Sequence, residues 1–233
     1  MDMLLGQLSR PLPHSVSAVS VRAAWIALAA TIGAAVLLRF GLFGNPIAGL
    51  DEQLYLLVGD RMWHGELPYV DIWDRKPLGL FVLFAAIRLL PGNGFLAAQM
   101  VATAFAAATA FLIALFMRRW VGWVPATMAG MFYLAQLNIL WGDTTQTPVF
   151  YDLLVMAAAM LTLRASDTAN ERVRAGSGVA AMALIGLAIQ IKTNAVFQGG
   201  FFGAWLIWSV WRETRDPTRI LRLAVPMVLA AAL

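Results

Sequence analysis

The sequence predicts an all-α protein, a polytopic transmembrane helical bundle of about seven spans with a long first outer loop that holds interfacial helices. Three observations carry this expectation. Hydrophobic types make up 61% of the 233 residues and Asp, Glu, Lys and Arg only 13%, against about 45–50% and about 25% in a soluble domain. Mean hydropathy is +0.73, and apolar runs of about 20 residues, the length that crosses a bilayer, recur from end to end. The 17 Lys and Arg also fall with a one-sided bias when those runs are threaded through a membrane. A disordered chain and an ordinary cytosolic enzyme are excluded. A net charge of +4 and a pI near 10.0 need no nucleic-acid partner, because basic residues set orientation in such a protein. With no Cys there is no disulfide framework, thiolate metal site or Cys nucleophile.

Residues 1–21 are mostly polar, with Pro11 and Pro13, and read as a short cytoplasmic tail; residues 22–233 form one transmembrane module. The spans are Ala23–Phe40, Phe95–Met117, Val121–Trp141, Pro148–Leu163, Ser177–Ile191, Ala195–Trp211 and Ile220–Leu233. The first is too long for a signal-peptide core and reads as an uncleaved anchor. An eighth apolar stretch, Leu78–Leu90, follows Pro77, carries Arg88 and is too short for a comfortable crossing, so it is assigned to the membrane interface. With the N-terminus inside, eleven Lys and Arg then lie on the cytoplasmic side and six outside. If Leu78–Leu90 crossed, the same N-terminus would give four against thirteen; an outside N-terminus would restore thirteen against four, and span length decides against that arrangement. The chain stops at Ala230-Ala231-Ala232-Leu233 inside an apolar run, which predicts a C-terminally truncated module.

The loop between the first span and the second, about residues 41–94, carries the chemistry. It holds Asp51, Glu52, Asp60, Glu66, Asp71 and Asp74, six of the 13 acidic residues. The stretch up to Pro77 is about 37 residues, where a bundle connector is usually about 2–8, and long loops are where function concentrates. Asp51 stands where the chain leaves the membrane. It reads either as the cap of a helix Glu52–Trp63 or as a general base that accepts a hydroxyl proton in a transfer reaction. Glu52 reads as a solvated or hydrogen-bonding neighbour. Tyr69 and Trp73 are interface aromatics between the breakers Pro68 and Pro77. Asp74, Arg75 and Lys76 form either a salt-bridged turn or a phosphate contact, with Lys76 a point charge at headgroup depth.

The run LDEQLYLLVGDRMWHGELPYVDIWDRKPLGLFVLFAAI resembles the first outer loop of the GT-C superfamily, most of all the family 39-like, polyprenyl-phosphate-sugar-dependent glycosyltransferases such as protein mannosyltransferases and aminoarabinose transferases. The resemblance rests on Asp51-Glu52, on Gly65-Glu66-Leu67-Pro68-Tyr69 and on Lys76-Pro77, in that spacing. It covers about residues 20–215. It implies Asp51 as catalytic base and Glu52, Arg61, Tyr69, Lys76, Asp143, Asp152 and Lys192 as substrate-binding candidates, with the lysines and Arg61 on the lipid phosphate. The second outer loop, Gly142-Asp143-Thr144-Thr145-Gln146-Thr147-Pro148, departs from the pattern: no Glu stands at the start of the fourth span, and Asp143 or Asp152 would have to substitute. Asp152 has a bland reading as partner of a polar group on a neighbouring helix, and Lys192 one as a lysine snorkelling to the interface. A divalent cation, Mg or Mn, bridging Asp51 and the phosphate would suit hard oxygen ligands.

The expected function is therefore a multi-pass glycosyltransferase of a bacterial plasma (inner) membrane, N-terminus cytoplasmic. It would move a monosaccharide from a polyprenyl-phosphate donor to the hydroxyl of a lipid, glycan or protein acceptor with inversion, its partners including membrane lipids but no nucleic acid. The rival is a lipid-linked-sugar flippase or other transporter, whose pathway would draw on Asp152, Lys192 and the glycines of the sixth span.

Overall fold

The computed structural model describes residues 18–140, 142 and 144–232. Most of the expected tail, and Asp143, lie outside them. Among the described residues there are nine α-helices and no extended strand, so the all-α expectation holds. They are α1 (Ala18–Arg39), α2 (Leu50–Trp63), α3 (Leu78–Ile87), α4 (Gly94–Met117), α5 (Trp123–Ile139), α6 (Thr147–Asp167), α7 (Glu171–Ile191), α8 (Ala195–Thr214) and α9 (Pro217–Ala231). Local chemistry sets several boundaries. Asn93 and Asn170 accept backbone N–H bonds at the starts of α4 and α7, as Asp216 does for α9. Pro148 and Pro217 occupy first turns, where a missing N–H does no harm.

Four helical segments are long and apolar enough to cross a membrane: Val21–Leu42, Gly94–Met117, Thr147–Asp167 and Glu171–Ile191. The outside of the bundle is apolar as well, with Trp25, Leu37, Met128, Phe132, Phe197 and Phe201 all exposed. In water such a surface would drive aggregation, whereas lipid is its natural solvent. The other three expected spans are helices too, α5, α8 and α9, of 17, 20 and 15 residues.

Two cores organise the bundle. At one end, here the loop end, α2 and α3 pack against the bundle and bury Tyr55, Phe81 and Phe84 with Phe150 of α6. The rings meet edge to face, Tyr55–Phe84 at 5.1 Å and Phe84–Phe150 at 5.8 Å between centroids. Glycine lets α2 and α3 touch: a Cβ on Gly59 would stand 2.7 Å from the carbonyl carbon of Phe84. The indole of Trp63 closes the pair by donating to Ala85 O at 2.8 Å. The second core joins α6 to α9 through Met182, Ile185, Leu206 and Met227. Gly199, one of the glycines of the sixth expected span, lies in it, a Cβ there meeting Ile185 Cγ2 at 2.5 Å, so the small residue serves close packing.

One expectation is corrected. The α2 helix begins at Leu50 with Gly49 in the cap position and no side-chain cap, so Asp51 is a first-turn residue and not the cap. Its charge suits the helix dipole there, and its carboxylate is left for other partners. Of the two readings of Glu52, solvated or hydrogen-bonding neighbour, the second holds: it is only 1% exposed and bonds Gln99 and Thr145.

Candidate functional site

The loop end gathers most of the polar side chains that the sequence singles out. Asp51 and Tyr55 sit one turn apart on α2, so both point the same way, and the Tyr55 hydroxyl donates to Asp51 Oδ2 at 3.2 Å. The Lys76 ammonium lies 3.8 Å from the same oxygen and 5.6 Å from the centre of the Tyr55 ring. Lys76 is set by its own turn. Asp74 Oδ1 accepts from Lys76 N at 3.3 Å, and the Tyr69 hydroxyl donates to Lys76 O at 2.6 Å while its ring rests edge-on against Phe81. The Asp-Arg-Lys turn is thus closed by backbone bonds to Asp74, and its lysine reaches out of the turn to Asp51. Tyr69 adopts φ 71°, a left-handed conformation unusual for a side chain of this size, which its hydroxyl and ring contacts hold in place. Burial pushes both phenols, Tyr55 and Tyr69, above their ordinary range, with nearby Asp51 or Asp74 adding to it.

Behind this surface lies a buried polar knot. Glu52 Oε1 accepts from Gln99 Nε2 at 2.9 Å and Oε2 from Thr145 Oγ1 at 3.1 Å. Gln99 of α4 also accepts from Gly44 N at 2.7 Å and donates to Asn45 O at 3.1 Å. Arg39, at the end of α1 and 2% exposed, donates to Thr144 O at 3.1 Å and to Gly142 O. One carboxylate and one guanidinium therefore tie both connecting loops of the loop end to α1, α2 and α4. Burial raises the Glu52 carboxyl to about 7, against the lowering effect of its bonds to Thr145 and Gln99.

Lys192 follows the last residue of α7. The N-terminus of α3 packs against that helix end: a Cβ on Gly79 would stand 2.6 Å from Gln190 Cβ and 2.7 Å from Gln190 O. Lys76 stands three residues before Gly79 and Lys192 two after Gln190, so this backbone contact joins the segments that carry the two lysines. Asp152 has other partners. It accepts from Tyr133 of α5 at 3.0 Å, which matches its reading as a partner for a neighbouring helix, and it lines a cavity of about 320 Å³ with Tyr133, Gln136, Gln146 and Tyr151. Arg61 does not join the group. It pairs with Glu66 at 2.8 Å, ten residues or about 15 Å along α2 from Asp51. Asp60, beyond the site, is held below its usual range by hydrogen bonds from Arg88.

The donor set does not form a metal cage of its own. Among the described residues no three His, Cys, Asp or Glu side chains converge, and Asp51 faces an ammonium. Sequence reasoning passed over Arg39, Tyr55, Gln99, Tyr133 and Thr145. For Tyr55 the four-residue spacing from Asp51 was a usable signal, and for Gln99 its polarity within an apolar span was another.

No protein-family model matches this chain, no curated protein matches it and no solved structure matches it. What composition and fold define is a class: an all-helical membrane protein.

Proposed function

We propose that the protein is a membrane glycosyltransferase that takes a monosaccharide from a polyprenyl-phosphate donor at the outer face of a plasma membrane. The observation that carries the reading is the meeting of Asp51 and Lys76, an acid and a cation from separate motif elements, at the mouth of an apolar bundle. It is supported by the resemblance of those elements to polyprenyl-phosphate-sugar-dependent enzymes. We read α5, α8 and α9 as further crossings, which gives seven with α3 at the interface.

In the resting state Lys76 neutralises Asp51. A donor phosphate draws the lysine away on its flexible stem, and Lys192 completes the contact. Asp51, held by the Tyr55 hydroxyl, then takes the acceptor hydroxyl proton as the acceptor oxygen attacks the anomeric carbon. The bond from that carbon to the phosphate oxygen breaks on the opposite face, the configuration inverts, and polyprenyl phosphate departs. The two lysines stabilise its growing charge. Glu52 keeps the loops in register and touches no reactant. No step is assigned to a metal.

The test is transfer of radiolabelled sugar from a synthetic polyprenyl-phosphate donor by membranes containing the protein. Asp51→Asn should lower the rate by roughly 10²–10⁴ with unchanged expression, and Asp60→Asn should leave it alone. Movement of the intact donor between leaflets of proteoliposomes, with no transfer by the wild type, would instead establish the flippase.

A further inference from the structure

The end of the bundle opposite α2 and α3 contains a second pocket, of about 120 Å³, where the starts of α7 and α9 meet the end of α8. Four ionised side chains line it, Glu171, Arg174, Arg219 and Arg222, and three of them are cationic. Two are fixed in place. Arg174 Nη2 reaches Glu213 Oε2 and Thr168 O, each at 2.7 Å, and Arg219 Nη1 reaches Glu171 Oε1 at 2.8 Å with its Nε 3.6 Å from Asp216. Arg222 has no carboxylate within ion-pair distance among the described residues. Arg174 is 9% exposed, and its Nη2 is the nitrogen that its two acceptors hold.

We infer that this pocket binds a phosphate oxyanion, as the headgroup of an anionic phospholipid. Size and charge suit the group: the space accommodates a tetrahedral oxyanion, Arg222 is the cation left for it once Glu213, Glu171 and Asp216 are taken up by the other two arginines, and arginine is the residue that recognises phosphate by a fork of donors. Depth argues for a lipid source. On the adjoining end of α8, Arg212 and Arg215 stack on Trp208 and Trp211 at 5.1 and 5.5 Å, and tryptophans of this kind mark the headgroup layer. This is also the end that the excess of basic residues assigns to the cytoplasmic leaflet, where anionic lipids collect in basic interhelical pockets. The site is independent of the sugar-transfer chemistry at the loop end.

The test uses the purified full chain in detergent and two probes. Native mass spectrometry measures retention of phosphatidylglycerol against phosphatidylcholine; phosphorus NMR line broadening measures inorganic phosphate. Arg222→Gln, at an exposed position whose loss breaks no ion pair, should weaken phosphatidylglycerol retention about tenfold, as expected for one charge-assisted contact. Arg215→Gln, outside the pocket, should not. Arg174→Lys keeps the charge but replaces the planar fork by a point charge and should weaken retention as well, with the melting temperature recorded to separate binding from folding. Binding of inorganic phosphate that depends on Arg222, without selective lipid retention, would keep the phosphate site and make its source soluble. Equal behaviour of wild type and Arg222→Gln toward both probes would overturn the inference.

Discussion

The ammonium of Lys76 stands 3.8 Å from the carboxylate of Asp51, at the point where the two ends of a long polar loop come back together. Neither end reaches the other by local structure. Asp51 is placed by the first turn of α2 and Lys76 by an Asp74 turn braced by Tyr69, and the aromatic contacts of Tyr55 and Tyr69 with Phe81 dock the two pieces.

Substitution distinguishes a phosphate-binding lysine from an anchor. A lysine that merely snorkels needs a long stem and a charge, which arginine also supplies, whereas a point charge in a shaped site is not matched by a planar fork. Lys192→Ala should lower transfer or donor affinity more than tenfold, with Lys192→Arg restoring only part, since a charge-assisted contact contributes about 1.5–3 kcal/mol and about 1.4 kcal/mol is a factor of ten. Lys76→Ala should do the same and also leave Asp51 without its cation. Donor-concentration-dependent transfer by these variants is the measurement; wild-type kinetics for both alanine variants would leave the phosphate end of the mechanism without a residue.

Glu52 leads to a pH prediction with a definite sign. Its carboxyl titrates near 4.5 when unfolded and about 7 when buried, so between those values the folded protein holds a proton that the unfolded chain has lost. The stability tied to that proton is fully present below about 4.5 and is lost as pH rises through about 7. Glu52→Gln has nothing to titrate, and the Thr145 hydroxyl can turn to accept from the introduced amide. The melting temperature of Glu52→Gln should therefore gain on the wild type across that window. A difference that stays constant with pH would show that Glu52 folds with its charge intact.

The absence of cysteine from the chain makes topology directly testable with single introduced thiols. Val70 and Leu89 are exposed at the loop end, 75% and 65%, and Ala169 is exposed in the turn between α6 and α7. Gly94 is unsuitable, because a side chain there would run into the Arg88 guanidinium. Val70→Cys and Leu89→Cys should react with a membrane-impermeant reagent from outside, and Ala169→Cys only after permeabilisation. The α3 helix has ten residues, about 15 Å, against a hydrocarbon core of about 30 Å. Labelling of Leu89→Cys solely from the cytoplasm would mean that α3 crosses nonetheless.

Helix positions were legible in the sequence because apolar runs and their breakers are local signals. The Leu78–Leu90 stretch, read as too short to cross, contains a helix of ten residues whose Leu80, Phe81, Phe84 and Ile87 pack into the first core. The polar knot was not legible, because Glu52 bonds Gln99 and Thr145 across three separate segments, and no local pattern says that an acid beside a half-buried one turns inward. Helical geometry supplies the reason afterwards: adjacent residues lie about 100° apart around a helix of 3.6 residues per turn, so Asp51 and Glu52 cannot share a face. Arg39 is one of the six basic residues that the threading of the spans counts outside. It is instead buried at the close of α1, bonded to the Gly142 and Thr144 carbonyls, a role that depends on how α1 packs and not on its own neighbours.

The contact of Gly79 with Gln190 gives the last prediction, which separates placement of the lysines from their chemistry. Alanine at position 79 would put a methyl carbon 2.6 Å from Gln190 Cβ and 2.7 Å from its carbonyl oxygen, and since the oxygen is backbone, one helix must move. The start of α3 would shift from the end of α7, separating Lys76 from Lys192 while touching neither side chain. Overpacking of this kind destabilises by about 1–3 kcal/mol, so the protein should still insert and fold with a lowered melting temperature. Transfer should fall at least tenfold. Gly176→Ala, in the same α7 helix with nothing within 4 Å of the added carbon, should leave transfer intact and slightly raise stability. If Gly79→Ala lowers the melting temperature yet keeps full transfer, the α3–α7 contact is structural only, and the two lysines do not act at one corner.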